Sequence, residues 1–135
     1  MSRRSRAREV ALQVLFQDDL NPGGNPHQAD EFLRARLGND DDLVGFARSL
    51  VSGVRRNREE LDQLLNRTAE NWRVERMAAT DRNVLRLGAF EIIYGDTPDP
   101  VAINEAVELA KRYGTAQSAQ FVNGILDRFL AGHGG

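Results

Sequence analysis

The chain has 135 residues, 41% of them hydrophobic and 28% charged, so it is large enough for one compact domain and too apolar to be disordered. It contains no cysteine, which excludes disulfides, thiolate metal sites and cysteine nucleophiles. Because no apolar run approaches the roughly 20 residues of a membrane helix and the first residues do not resemble a signal peptide, we expect a cytoplasmic protein.

Helical periodicity dominates the first part of the chain. Apolar residues recur from Ala7 at the spacing of an amphipathic helix, and the turn formers of residues 21–26 end it. Asn25 is predicted to cap a second helix with Pro26 at its first position, and Gly38 to stop that helix.

Two more helices are predicted before residue 70. The run Asp40–Asp42 opens the third helix, where carboxylates cap free N–H groups and complement the helix dipole. We therefore interpret these aspartates as a helix start and not as a metal site. Asn57 and Glu60 resemble a capping box before the fourth helix. The pattern weakens at residues 71–73, which predicts a turn or irregular connection with room for a short helix.

The last part of the chain is also helical in pattern. Residues 80–94 are apolar nearly all round, which is typical of a helix surrounded by others, and Gly88 permits a close helix approach. A helix is predicted over residues 101–113, after a rigid loop, and another follows a cap at Thr115 or Ser118.

The predicted fold is all-α, with six or seven helices and no strand-like alternation of useful length. We expect a single domain over residues 1–135, with a basic arm at 1–8 and two lobes dividing near residues 70–80. Residues 132–135 are expected to form a frayed tail.

Catalytic and metal motifs are missing from the sequence. There is no phosphate-binding loop, dinucleotide fingerprint or nucleophile elbow, and no pair of carboxylates is distinguished by its spacing. His27 and His133 lie far apart, each beside glycine or proline. We therefore expect no enzyme, no metal and no cofactor.

Positive charge is concentrated at the start of the chain, although the formal net charge is −2. The first eight residues carry four arginines and no acid: Arg3, Arg4, Arg6 and Arg8. Such a cluster can engage several phosphates, because guanidinium pairs bidentately with phosphate and stacks on bases. The cluster also opposes the helix dipole, so local stability does not explain it. A solubilising tail is the alternative.

Phe16 lies on the helix face opposite the apolar stripe that begins at Ala7. An aromatic residue there either packs against a second wall of the same protein or contacts a partner.

Four segments together resemble the NusB family of bacterial transcription antitermination factors. They lie in the same order and at the same spacing: Arg6–Glu9 leading into Val14–Phe16, Val84–Leu87 with Phe90 and Glu91, Val101–Lys111, and Phe121–Asp127. Residues 17–75 resemble the family only in helical pattern. The resemblance implies two small helical bundles and a non-enzymatic role.

The implied role is binding of single-stranded boxA RNA from ribosomal RNA leader transcripts together with the ribosomal protein NusE. With NusA and NusG, that complex promotes read-through by RNA polymerase. Single-stranded RNA offers unpaired bases for stacking and edge contacts, which suits arginine and aromatic side chains.

The resemblance also assigns residues to these two partners. RNA-binding positions are Arg3, Arg4, Arg6, Arg8, Gln117, Gln120 and Phe121. Positions at the NusE interface are Phe16 and Asp81, which in the family are often tyrosine and glutamate. Core packing is the alternative for Phe121, and stabilisation of a helix's first turn is the alternative for Asp81.

Three other functions stay open. The same fold occurs as the N-terminal RNA-binding region of certain ribosomal RNA cytosine methyltransferases. A helix-turn-helix DNA-binding protein is a second possibility, although its recognition helix over residues 116–130 would carry one basic residue, Arg128. A helical scaffold is the third. The sequence does not decide between a monomer and a homodimer.

Overall fold

The computed structural model describes residues 2–133, apart from the side chains of Pro26 and His133. Over this range the chain forms seven α-helices and one 3-10 turn, and it contains no strand. The elements are α1 (Arg3–Leu20), α2 (Pro26–Arg36), α3 (Asp41–Arg56), α4 (Arg58–Thr68), a 3-10 turn (Val74–Arg76), α5 (Ala79–Tyr94), α6 (Asp99–Tyr113) and α7 (Ser118–His133). The predicted all-α fold is confirmed.

The helices form two compact units, which divide between Arg55 and Arg56. The N-terminal unit contains α1, α2 and nearly all of α3, and the C-terminal unit contains α4 to α7. The sequence analysis expected two lobes that divide near residues 70–80. The observed division precedes α4, because α4 packs on α5 and α7 and buries Leu61 and Leu65 completely.

Helix α1 begins four residues earlier than the apolar pattern indicated. The Ser2 hydroxyl accepts a hydrogen bond from the Ser5 backbone N–H at 3.0 Å, which caps the helix. The predicted basic arm is therefore helical from Arg3 onward. A local cap extends a helix into a polar segment that contributes nothing to the apolar stripe.

Two other caps occur where the sequence predicted them. The Asn25 side chain accepts from the His27 N–H at 2.9 Å at the start of α2. Asp40 Oδ1 accepts from the N–H groups of Asp42 and Leu43 at 3.1 and 3.2 Å. The interpretation of the aspartate run as a helix start is confirmed.

The predicted capping box at Asn57 is wrong. Asn57 precedes α4, but its side chain forms no capping hydrogen bond. One residue separates α3 from α4, and its φ of −107° and ψ of 15° differ from the extended backbone of a capping residue. Glu60 instead accepts a hydrogen bond from the Tyr94 hydroxyl at 2.5 Å.

Two helix limits differ from the expected ones. Helix α6 begins at Asp99, since Pro100 is tolerated in the first turn of a helix. Helix α7 continues to His133, so the first two residues of the expected frayed tail are helical. Gly134 and Gly135 lie outside the described residues.

Gly88 lies where α5 closely approaches α6 and α7. A Cβ atom there would lie 2.8 Å from Leu126 Cδ1 and 3.3 Å from Ala106 Cβ. A side chain at Gly88 would require Leu126 to move and would press on Ala106, so the prediction of a close helix approach at Gly88 is confirmed.

Candidate nucleic-acid interface

The four arginines at the start of α1 all have partners within the N-terminal unit. Arg3 forms an ion pair with Asp40, and Arg6 Nη1 lies 3.2 Å from Glu9 Oε1. Arg4 and Arg8 place their guanidinium carbons 4.4 and 5.1 Å from the centre of the Phe46 ring. The cluster is therefore ordered by specific contacts. These ion pairs and ring contacts leave part of the cluster facing solvent.

The arginines differ in exposure. The side chains of Arg3 and Arg6 are 69% and 43% exposed, and Arg4 is also exposed. Arg8 is only 3% exposed, so its guanidinium is not available to a phosphate in this conformation. The pair of Arg3 and Asp40 is exposed and easily exchanged, whereas the Glu9 partner of Arg6 is buried. Within the cluster, Arg3, Arg4 and Arg6 are the arginines that solvent reaches.

Phe16 is half-buried in the second half of α1. Its ring is part of neither the buried core nor the exposed apolar surface. Phe16 is therefore neither a fully buried core residue nor a fully exposed one, and its contact with a partner stays a prediction.

A cleft of about 230 Å³ lies between α1, α2 and their connecting loop. Carboxamide side chains, including Gln13, Gln17 and Gln28, line much of it. Its charged side chains, Asp18 and Arg55, are paired with each other at 2.7 Å, and this pairing raises the pKa of Arg55 above its usual value. The cleft offers hydrogen bonds but no free charge.

A second cleft, of about 370 Å³, lies within the C-terminal unit. Its walls come from the segment before α5, the first turn of α5 and the start of α7. Polar and aromatic side chains dominate its lining, which includes Trp72, Arg76, Asp81, Thr115, Gln117, Ser118 and Phe121. We call this the aromatic cleft.

The start of α7 is fixed by hydrogen bonds around Ser118. The Thr115 N–H donates to Ser118 Oγ at 2.9 Å, and the Ser118 N–H donates to the Thr115 carbonyl at 3.1 Å. Gly114 makes this turn possible, because a Cβ there would lie 2.4 Å from Ser118 Oγ. The turn presents Gln117 at the surface and Phe121 in the cleft wall.

The cleft brings together residues that the sequence analysis assigned to different partners. Asp81, expected at a protein interface, lines it with Gln117 and Phe121, expected to contact RNA. Gln120 is exposed nearby in α7 but is not part of the lining. Phe121 is half-buried, so packing alone does not account for its ring.

Asp81 has an unsatisfied oxygen. Its Oδ1 atom is buried, and no donor among the described residues reaches it. A buried acceptor without a partner is costly, so such an atom in a cleft wall favours a ligand that supplies an N–H or O–H group. Helix-dipole stabilisation in the first turn of α5 does not satisfy this atom.

Sequence reasoning missed Trp72 and Arg76. The Trp72 ring lies edge-on to Phe121, with centroids 5.6 Å apart and planes at 82°. Trp72 is the single tryptophan of the chain, and it lies where the helical pattern weakens. A large aromatic residue outside any apolar stripe was the signal available in the sequence.

Within residues 2–133 no group of three or more histidine, cysteine, aspartate or glutamate side chains is placed to hold a metal ion. No helix in the same range is long and apolar enough to cross a membrane.

These features define an all-helical protein whose accessible groups are cationic, carboxamide and aromatic. The sequence model of the NusB family matches residues 5–131, and the chain belongs to that family. The resemblance stated from the four sequence segments is confirmed, and with it the prediction of a non-enzymatic protein.

Named relatives match nearly the whole chain. Transcription antitermination protein NusB of Anaeromyxobacter dehalogenans is 44% identical over 131 residues, covering 97% of this chain and 92% of the relative. The protein of the same name from Myxococcus xanthus is 48% identical over 132 residues, covering 95% and 94%.

Solved structures agree with this assignment. NusB of T. maritima superposes with a TM-score of 0.87 at 37% identity, covering 98% of this chain and 93% of that one. A chain in a crystal structure of antitermination factors NusB and NusE in complex with dsRNA superposes with a TM-score of 0.81 at 28% identity, covering 98% and 99%.

Proposed function

We propose that the chain is a cytoplasmic transcription antitermination factor that binds boxA RNA of ribosomal RNA leader transcripts together with ribosomal protein NusE. The observation that carries this proposal is family membership over nearly the whole chain. The relatives named as antitermination proteins and the similar structure that contains NusE and RNA support it. The assembled complex, with NusA, NusG and RNA polymerase, promotes read-through of terminators.

The start of α1 supplies the phosphate contacts in this proposal. Arg3, Arg4 and Arg6 are accessible. An RNA phosphate can replace Asp40 as the partner of Arg3, and Arg6 offers a phosphate the N–H groups that its bond to the buried Glu9 leaves over. Arg8 is a positioning residue, since its buried guanidinium lies against the same Phe46 ring as Arg4.

The start of α7 supplies the base contacts. Gln117 and Gln120 expose carboxamides, which both donate and accept hydrogen bonds at base edges. The half-buried Phe121 offers a ring for stacking.

Phe16 and Asp81 supply contacts to NusE. The unsatisfied Asp81 Oδ1 accepts an N–H group from a partner, and the excess of acidic residues after the first eight favours a basic ribosomal protein. Because Phe16 replaces the usual tyrosine of the family, the interface lacks one hydroxyl contact. RNA that touches both proteins binds more tightly by linkage.

The test is a titration of fluorescent boxA-type RNA with the full chain, with and without NusE, at several salt concentrations. A scrambled strand and a duplex of the same sequence are compared, because the similar complex contains dsRNA. We expect tighter binding to boxA that NusE strengthens. Replacement of Arg3, Arg4 and Arg6 by alanine is expected to lower affinity at least about tenfold and to reduce the salt slope by about 2.

The control variant replaces the exposed Arg36, Arg56 and Arg67 by alanine, which removes the same charge elsewhere. This variant is expected to bind RNA nearly as well as the parent. Equal weak binding to all RNAs, unchanged by NusE, would refute the proposed function. Equal losses in both triple variants would show that net charge alone drives binding.

A further inference from the structure

Trp72 and Phe121 form a corner of two aromatic rings at the mouth of the aromatic cleft. Trp72 is 56% exposed even though its edge contacts Phe121. A single exposed aromatic residue needs no explanation, but two rings at 82° offer a flat ligand a face and an edge at once.

The backbone beside Trp72 is held by its neighbours. The Val74 N–H donates to Asn66 Oδ1 at 2.8 Å, and Val74 is completely buried. On the other side of the 3-10 turn, Arg82 donates to the Met77 carbonyl at 3.0 Å. Because these contacts fix the segment, the exposed indole is presented with little loss of freedom on binding.

The charges of the cleft favour a neutral ring with an adjoining anion. Arg76 forms no ion pair within the described part of the chain, whereas its neighbour Arg73 lies 2.9 Å from Glu75. The Asp81 carboxylate on the same cleft disfavours a ligand that is anionic throughout. The volume of about 370 Å³ suffices for one small aromatic ligand.

We infer that the corner of Trp72 and Phe121 holds one unpaired nucleobase of single-stranded RNA, with Arg76 on an adjoining phosphate. This inference rests on the proposed RNA-binding function and adds Trp72 and Arg76 to its contacts. Stacking on an aromatic side chain tolerates different bases, so the corner contributes affinity more than sequence preference.

The single tryptophan makes the test direct, because all indole emission comes from Trp72. Unlabelled boxA-type RNA is titrated into the full chain while indole emission is recorded, and labelled RNA is titrated in parallel for affinity. We expect quenching that saturates together with RNA binding. Trp72→Ala is expected to lower affinity about tenfold, and Trp72→Phe to retain most of it.

Two further variants complete the test. Arg76→Ala is expected to weaken binding and to reduce the salt slope by about 1. Tyr94→Ala is the matched control, since Tyr94 is an exposed aromatic residue of the same unit outside the cleft lining, and its RNA affinity should equal that of the parent. Circular dichroism verifies that each variant is folded.

The outcomes separate this inference from the function on which it rests. Unchanged RNA affinity in Trp72→Ala would overturn the inference while leaving the proposed function intact. Indole emission that responds to NusE without RNA, and not to RNA, would assign the corner to a protein interface and overturn it as well. No binding of labelled RNA by the parent chain, with or without NusE, would overturn both.

Discussion

The start of α1 and the aromatic cleft use their polar groups in opposite ways. In the N-terminal unit, Arg3 and Arg6 have ion-pair partners, and Arg4 stacks on Phe46. In the C-terminal unit, Asp81 Oδ1 has no partner within the described residues, and Trp72 is more than half exposed. The arginines that stand out in the sequence have partners within their own unit, whereas the cleft contains a polar atom without one.

The comparison shows that a high density of charge in the sequence does not tell whether the charged groups lack partners in the folded protein. A surface ion pair such as that of Arg3 and Asp40 can be exchanged for a phosphate at little cost, so an ion-pair partner does not remove an exposed arginine from the candidate RNA contacts. A buried carboxylate oxygen without a donor has more to gain from a ligand. The arginines therefore suit weak, salt-dependent attraction, and the cleft suits a ligand that donates a hydrogen bond to Asp81.

The largest effect is expected at an ion pair that joins α5 to α4 in the C-terminal unit. Arg86 of α5 is 3% exposed and donates from Nε and Nη2 to Asp62 at 2.7 and 2.9 Å. Arg86→Met removes one partner of a largely buried pair, so the free energy of unfolding should fall by about 3 kcal/mol in urea denaturation.

The control for Arg86→Met is the double variant Arg86→Met, Asp62→Asn, which also removes the unpaired charge of the Asp62 carboxylate. Part of the lost stability should return. A loss below about 1 kcal/mol in the single variant would contradict the expected contribution of this ion pair to stability.

An effect of intermediate size is expected in the N-terminal unit, where Phe46 contacts two arginines. Phe46→Leu keeps an apolar side chain but removes the ring that Arg4 and Arg8 share, and we expect a loss of about 1 kcal/mol in thermal denaturation. Phe32→Leu is the control, since a single guanidinium, that of Arg36, lies over its ring at 4.9 Å. Equal losses would show that the second guanidinium over the Phe46 ring adds nothing to stability.

The smallest effect concerns pH. The Leu43 N–H and the Arg3 guanidinium hold the pKa of Asp40 below its usual value of 3.8. Since the folded pKa is lowered, its stabilisation is complete above pH 3.8 and is lost as the pH falls through the lowered pKa. Asp40→Asn keeps a capping side chain without the charge, and should melt slightly below the parent at neutral pH.

The melting temperatures of the parent and Asp40→Asn are therefore expected to converge in acid, as the pH falls through the lowered pKa of Asp40. Asp41→Asn removes a charge from the same turn without altering the cap, and serves as the control. A difference between the parent and Asp40→Asn that persists unchanged into acid would show that the charge is not its cause.

Much of the helical framework followed from the sequence. Caps at Asn25 and Asp40 and the close approach at Gly88 were predicted, because they depend on side chains and spacing within a few residues. The capping box at Asn57 failed, since the short connection to α3 left no extended residue for it.

The candidate site was less accessible to sequence reasoning. The resemblance supplied Phe121 and Asp81 for two different partners, and only packing in the C-terminal unit placed them in one cleft with Trp72. Likewise, nothing in the arginine cluster distinguished the buried Arg8 from its neighbours. Burial depends on residues distant in the chain, which periodicity does not identify.

The helices, the lack of cysteine, the basic start and the family can all be derived from the amino-acid sequence. These properties follow from composition, local hydrogen bonding and the order of motifs. The accessibility of each arginine, the carboxylate oxygen without a donor and the contact between aromatic rings are visible only in the folded chain. Those outcomes arise when distant segments pack together, because only packing fixes the exposure and the partners of each side chain.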